Sequence, residues 1–226
     1  MKTLFIEARS DVNVLAAVKK NLVQLKTFKK LGVFTTVQHV GQLSAVESFL
    51  KSQGITVFSK KSLKLADQQG PKATYCGQLL GCDATAAKIM NVDTFLYIGS
   101  GEFHPLAIAI ASDKPVFKLN PFTKQLTTLA ETDKRKWLAR QAARIDKLKY
   151  AKKVGIILST KPGQYKPKLA EKLQKQFKNS YLFISDMVTS YDLMNFPDID
   201  AWINTACPRL VEDKWPKTFL NASEVI

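Results

Sequence analysis

Short runs of β-branched and aromatic residues alternate along this chain with stretches whose apolar positions recur at helical spacing. Residues 4–8 read as a strand. Residues 14–31 carry a helical pattern, with Lys19, Lys20, Lys26, Lys29 and Lys30 mostly off the apolar face. Gly32 punctuates, and 33–40 reads as a buried strand. A helix over 45–53 opens at Ser44, a candidate N-cap with Glu47 three residues on, and closes at Gly54. Residues 55–58 form the next expected strand and 84–90 a short helix. Thr94–Ile98 is an expected strand that runs into Gly99-Ser100-Gly101, followed by a helix over 106–112 and a strand over 115–119. Residues 133–152 read as one long basic helix. Val154–Ser159 is a strand that leads into Thr160-Lys161-Pro162-Gly163-Gln164. A helix over 168–177, a strand over 181–185, a short helix over 188–194 and a strand over 200–205 complete the pattern. The last strand feeds Ala206-Cys207-Pro208-Arg209.

Strands that alternate with helices predict an α/β fold: two Rossmann-like units with parallel sheets flanked by helices. A length of 226 residues suits one large domain or two small ones. The boundary is expected near Asn120-Pro121-Phe122, or along the long helix after it; taken at the first place it gives units 1–120 and 121–226 that could be related copies. In such sheets ligands bind beyond the carboxyl ends of the strands. Several of the glycine and cysteine motifs follow strands in this way.

Composition narrows the class. Apolar residues make up 46% of the chain, enough for a core. No apolar run approaches the roughly 20 residues of a membrane span, and Glu7 interrupts the short N-terminal run, so no signal peptide is read and a cytoplasmic location is expected. Lys and Arg total 34 against 19 acidic residues, a net charge of +15. That charge suits acidic partners, or simply keeps the chain soluble. Residues 134–178 hold 15 basic and two acidic side chains. This run carries no recognised nucleic-acid motif, which disfavours nucleic acid as the partner.

The three cysteines are Cys76, Cys82 and Cys207. An odd count argues against a disulfide framework. Cys76 and Cys82 lie six positions apart in Cys-Gly-Gln-Leu-Leu-Gly-Cys, and Cys207 follows 125 positions later, between Ala206 and Pro208-Arg209. A compact zinc finger needs closer pairs, and the chain has two histidines, His39 and His104. The cation of Arg209 beside Cys207 favours thiolate, the form that binds metal.

Five segments carry a resemblance. Gly77-Gln78-Leu79-Leu80-Gly81-Cys82 resembles the Gly-Gln-Val-Leu-Gly-Cys motif of the archaeal diphthamide synthases, the 2-(3-amino-3-carboxypropyl)histidine synthases. Ala206-Cys207-Pro208-Arg209 is similar to that family's C-terminal motif. Gly99-Ser100-Gly101-Glu102-Phe103-His104-Pro105 resembles its Gly-x-Gly-x-Phe-His segment. Ser159-Thr160-Lys161-Pro162-Gly163-Gln164 and Asn120-Pro121-Phe122 resemble two more, in the family's order and over essentially the whole chain.

The resemblance implies three related α/β domains that each give one Cys to a 4Fe–4S cluster. It further implies S-adenosylmethionine as cofactor, cleaved to a 3-amino-3-carboxypropyl radical that adds to a histidine of translation elongation factor 2. On this resemblance Cys82 and Cys207 match the second and third cluster ligands, and the first ligand's domain is not in this chain. Three readings follow. A separate domain or subunit, or a second copy in a homodimer, supplies the third thiolate; Cys76, a departure from the family pattern, replaces it; or the chain is a non-catalytic scaffold or basic, RNA- or ribosome-associated binding subunit. The resemblance makes Gly99, Gly101, Gly163 and Gln164 candidates to hold S-adenosylmethionine. Thr36, Gln38, His104 and Arg209 are candidates to line the same cleft.

Overall fold

The structure, a computed structural model, describes residues 4–62 and 73–226. The described elements are α1 (Val14–Lys20), α2 (Leu22–Leu25), β1 (Lys30–Thr35), α3 (Leu43–Ser52), β2 (Thr56–Phe58), α4 (Thr85–Lys88), β3 (Thr94–Ile98), α5 (Phe103–Ser112), β4 (Val116–Asn120) and β5 (Gln125–Thr128). They continue with α6 (Glu131–Leu148), β6 (Val154–Ser159), α7 (Pro167–Gln176), β7 (Ser180–Ser185), α8 (Ser190–Met194), β8 (Ala201–Asn204) and β9 (Thr218–Asn221). The chain divides into two compact units, the second taking in Arg135–Ile226. The first unit extends past residue 120 because β5 returns antiparallel onto β4.

The first sheet has the order β2-β1-β3-β4-β5, and every pair except β4–β5 is parallel. Its strands alternate. Leu31, Val33, Leu96 and Ile98 face a core closed by α1, α2 and α3. Phe34, Phe95 and Tyr97 face a second core closed by α4 and α5. The second sheet has the order β7-β6-β8-β9, all parallel. One face packs Ile145 and Leu148 of α6 and Leu169, Ala170 and Leu173 of α7. The other buries Trp202, Ile157, Leu193 and Phe219.

The two units use the same devices. Gly32 on β1 pairs with Phe95 on β3, and Gly155 on β6 pairs with Trp202 on β8. A Cβ on Gly32 would lie 2.5 Å from the Phe95 ring, and one on Gly155 would lie 2.3 Å from that of Trp202. Each glycine is therefore the hollow that seats an aromatic ring of the neighbouring strand. Asp93, just before β3, accepts from the Lys30 amide at 2.9 Å. Asp200, just before β8, accepts from the Lys152 and Lys153 amides at 2.9 Å each. These shared features support the reading of two related copies.

Several elements differ from the sequence expectation. Residues 4–8 form no strand: Leu4 is 83% and Ile6 85% exposed, and no described strand pairs with them. The long helix over 14–31 breaks at Asn21, whose side chain turns back to the carbonyls of Ala17 and Lys124. The strand expected to reach residue 40 ends at Thr35, and α3 starts at Leu43, with Gln42 rather than Ser44 at its cap. Gly54 does follow α3 at φ 85°, the left-handed backbone that glycine adopts at least cost. Among the described residues no helix is long and apolar enough to cross a membrane.

Candidate functional site

Each sheet reverses its strand order once. In the first unit the chain runs from β1 out to β2 and returns as β3 on the other side; in the second it runs from β6 to β7 and returns as β8. The crevice at such a reversal, beyond the carboxyl ends of the strands, is where doubly wound sheets bind ligands. A buried threonine closes the floor of each. Thr35 Oγ1 donates to the Ile98 carbonyl at 2.7 Å, and Thr205 Oγ1 donates to the Ile157 carbonyl at 2.7 Å.

In the first unit, Thr36 and Gln38 follow β1 and Gly99 and Gly101 follow β3, so these four flank the crevice. Thr36 is half-buried and Gln38 exposed. The cysteine loop runs alongside. The Thr35 amide donates to the Gly77 carbonyl and the Leu79 amide to the Thr35 carbonyl, each at 2.8 Å, which lays residues 77–79 beside the end of β1. Gly77 turns at φ 72° against Leu43 and the Val33 carbonyl. The buried Gln78 accepts from the amides of Thr74 at 2.7 Å and Tyr75 at 3.1 Å, fixing the turn that carries Cys76. Cys82 sits in the next turn, where Leu80 bridges Asp83 and Asp83 accepts from Thr85 at the start of α4.

Gly81 joins this loop to α5: a Cβ there would stand 1.8 Å from a carbon of the Phe103 ring. Next to Phe103, the His104 ring stacks on Tyr97 at 5.7 Å and 10°. Tyr97 is buried, and burial pushes its phenol well above its ordinary pKa. A Cβ on Gly99 would stand 2.6 Å from the Tyr97 hydroxyl, so glycine makes room for that group at the crevice. Lys118 on β4 holds Glu102, just before α5, through both carboxylate oxygens at 2.6 and 2.7 Å.

In the second unit, Cys207 follows β8 and is half-buried. Two buried asparagines brace its loop. Asn204 Nδ2 donates to the Cys207 carbonyl at 2.8 Å and to Asn221 Oδ1 at 2.9 Å, while Asn204 Oδ1 accepts from the Ala206 amide at 2.9 Å. Asn221 Nδ2 in turn donates to the Pro208 carbonyl at 2.9 Å. Gly163 turns at φ 85° after β6, with the Gln164 amide bonded to the Lys161 carbonyl at 3.0 Å. Arg209 is exposed and 3.9 Å from Glu212, whose carboxyl is pushed up by burial.

Thus Cys76, Cys82, Thr36, Gln38, Gly99, Gly101 and His104 belong to the carboxyl edge of the first sheet, and Gly163, Gln164, Cys207 and Arg209 to that of the second. Sequence reading missed Asn221, Tyr97, Phe103 and Arg9. Arg9 pairs with Glu7 at 2.5 Å and lies 5.3 Å above the Tyr75 ring, beside Cys76. Phe103 lay inside a motif already singled out; the other three carried no local signal.

The donor chemistry suits an iron–sulfur cluster. No disulfide joins the three cysteines, which are exposed at Cys76 and Cys82 and half-buried at Cys207, on loops shaped by Gly or Pro. The count within a unit falls short: among the described residues no three His, Cys, Asp or Glu side chains gather to hold a metal.

The comparisons agree with this geometry. The chain is 34% identical to the 2-(3-amino-3-carboxypropyl)histidine synthase of Pyrococcus horikoshii over 99% of its own length and 64% of that protein. It is 29% identical to subunit 1 of the synthase of Schizosaccharomyces pombe, covering 96% of this chain and 49% of that one. The crystal structure of Dph2 from Pyrococcus horikoshii with a 4Fe-4S cluster superposes with a TM-score of 0.82 at 33% identity, over 96% of this chain and 62% of that one. The chain thus spans between about half and two thirds of these relatives. The family model for diphthamide synthesis proteins matches residues 1–222, and the chain belongs to that family.

Proposed function

We propose that this chain is a subunit of an enzyme that transfers a 3-amino-3-carboxypropyl group to a histidine of translation elongation factor 2, the first step of diphthamide synthesis. The observation that supports this best is the placing of Cys82 and Cys207 on braced loops at the carboxyl edges of their sheets. Those two thiolates would hold a 4Fe-4S cluster. When bound, such a cluster supplies the electron that cleaves S-adenosylmethionine. Thr36, Gln38, Gly99, Gly101 and His104 on one sheet and Gly163, Gln164 and Arg209 on the other would orient that cofactor, the glycines by letting backbone amides approach closely.

Two thiolates under-ligate a cluster that needs three, so the third comes from another domain, another subunit or a second copy of the chain. What supports an outside ligand over Cys76 is the bonding of its turn. The Gly77 amide donates to the Lys60 carbonyl, the Thr35 amide to the Gly77 carbonyl, and Gln78 holds the amides of Thr74 and Tyr75, so the turn that carries Cys76 is fixed by its own hydrogen bonds. The test is anaerobic reconstitution with iron and sulfide, followed by absorbance and electron paramagnetic resonance, with and without a co-expressed α/β domain carrying one Cys. Cys82→Ser and Cys207→Ser should each abolish the cluster, Cys76→Ser should leave it intact, and the added domain should stabilise it and permit S-adenosylmethionine cleavage. A cluster that survives Cys82→Ser would overturn the reading; one lost only in Cys76→Ser would make Cys76 the third ligand.

A further inference from the structure

At the amino edge of the second sheet, opposite the edge that carries Cys207, lies a cleft of about 680 Å³. One wall is a stripe of α6. Arg140, Arg144 and Lys147 stand at helical spacing on one face, rising about 6 Å and then about 4.5 Å along the axis. The opposite wall is the segment from Asp213 to Phe219, with Val211 and Phe219 as apolar floor. Arg144 is bound to Glu224 at 3.0 Å. Lys217 donates to the carbonyls of Pro197 and Ile199. Arg140 and Lys147 have no acidic partner among the described residues. With Arg144 paired to Glu224, Arg140, Lys147 and Lys217 stand against Asp200 and Asp213, so the cleft keeps a positive excess, on a helix that belongs to the basic run 134–178.

We propose that this cleft binds an acidic polypeptide segment, away from the cysteine-bearing edge. Carboxylates three residues apart on a polyproline-II peptide lie on one face about 9 Å apart, close to the rise of about 10.5 Å from Arg140 to Lys147. A polynucleotide fits less well. Trp215 is not free to stack on bases: it lies flat on Phe219 at 4.0 Å and donates to the Leu210 carbonyl at 2.6 Å. The inference stands independently of the transfer reaction.

The test is fluorescence anisotropy with fluorescein-labelled decaglutamate and, in parallel, decauridylate, at low and high salt. The double variant Arg140→Glu/Lys147→Glu should weaken decaglutamate binding by about tenfold or more, the equivalent of about 1.4 kcal/mol. Lys172→Glu/Lys175→Glu, exposed on α7, should change it less than about twofold. Circular dichroism of both variants separates lost binding from lost fold, and the milder Arg140→Gln/Lys147→Gln should weaken binding in the same direction. Equal losses in the two charge-reversed variants, no binding by wild type, or tighter binding of decauridylate than of decaglutamate would overturn the proposal.

Discussion

Asn221 lies 14 residues beyond Cys207 in sequence, yet its amide holds both Asn204 and the Pro208 carbonyl, and so fixes the path of the loop on each side of the thiol. Replacing it by Leu keeps the branching at Cγ and removes both bonds, leaving one N–H of the Asn204 amide and the Pro208 carbonyl without these partners, at about 1–3 kcal/mol each when unrelieved by water. Asn221→Leu should therefore lower unfolding free energy by about 2 kcal/mol and speed the reaction of Cys207 with a thiol reagent. Cys82 should react at its wild-type rate. A variant that loses stability while Cys207 keeps its wild-type reactivity would show that the asparagine pair serves the fold and not the loop. No reading of sequence finds Asn221. Its polarity is ordinary for a surface turn, and only the parallel pairing of β8 with β9 places it opposite Asn204.

At the scale of elements, legibility followed patterning. Thr94–Ile98 and Val154–Ser159 match their expected bounds because buried parallel strands are near-continuous apolar runs closed by glycine or polar turns. β5, Gln-Leu-Thr-Thr, is an exposed edge strand with one apolar residue and offered no period to read. β9 was missed because Trp215-Pro216-Lys217 reads as a turn that ends the pattern. The expected strand at 4–8 had the right composition and no neighbour to pair with among the described residues, a tertiary requirement that composition does not carry. The basic helix was legible, but its anchor was not: Arg144 reaches Glu224, whose side chain is only 3% exposed, 80 residues away. Arg144→Ala leaves that carboxylate buried without its cation and should cost about 3 kcal/mol. Arg144→Ala/Glu224→Leu should recover most of the loss. Urea midpoints of the two variants check this, and a double variant no more stable than the single one would refute it.

For the whole molecule, two units with separate cores predict two separable unfolding events, and the placement of chromophores lets them be told apart. Trp137, Trp202 and Trp215 all belong to the second unit, so tryptophan emission follows that unit alone. The first unit holds His39, buried with neither ring nitrogen hydrogen-bonded among the described residues, and burial pushes its imidazole pKa below the ordinary value. Its folded pKa therefore lies below that of the unfolded chain, about 6.5. Beneath that pH the unfolded chain binds a proton that the folded unit refuses, so the first unit keeps full stability above about pH 6.5 and loses it as pH falls. In the second unit Glu212 works the other way: burial raises its folded pKa, so acid favours the folded form. Urea unfolding at pH 7.5 and 5.5 should move the first transition seen by far-ultraviolet circular dichroism to lower urea, while the midpoint of tryptophan emission does not fall. His39→Leu should cancel the shift, since it removes both the titration and the two unsatisfied nitrogens. If emission and dichroism shift together in the wild type, the units unfold as one; if the shift persists in His39→Leu, a group other than this imidazole sets the acid limit of the first unit.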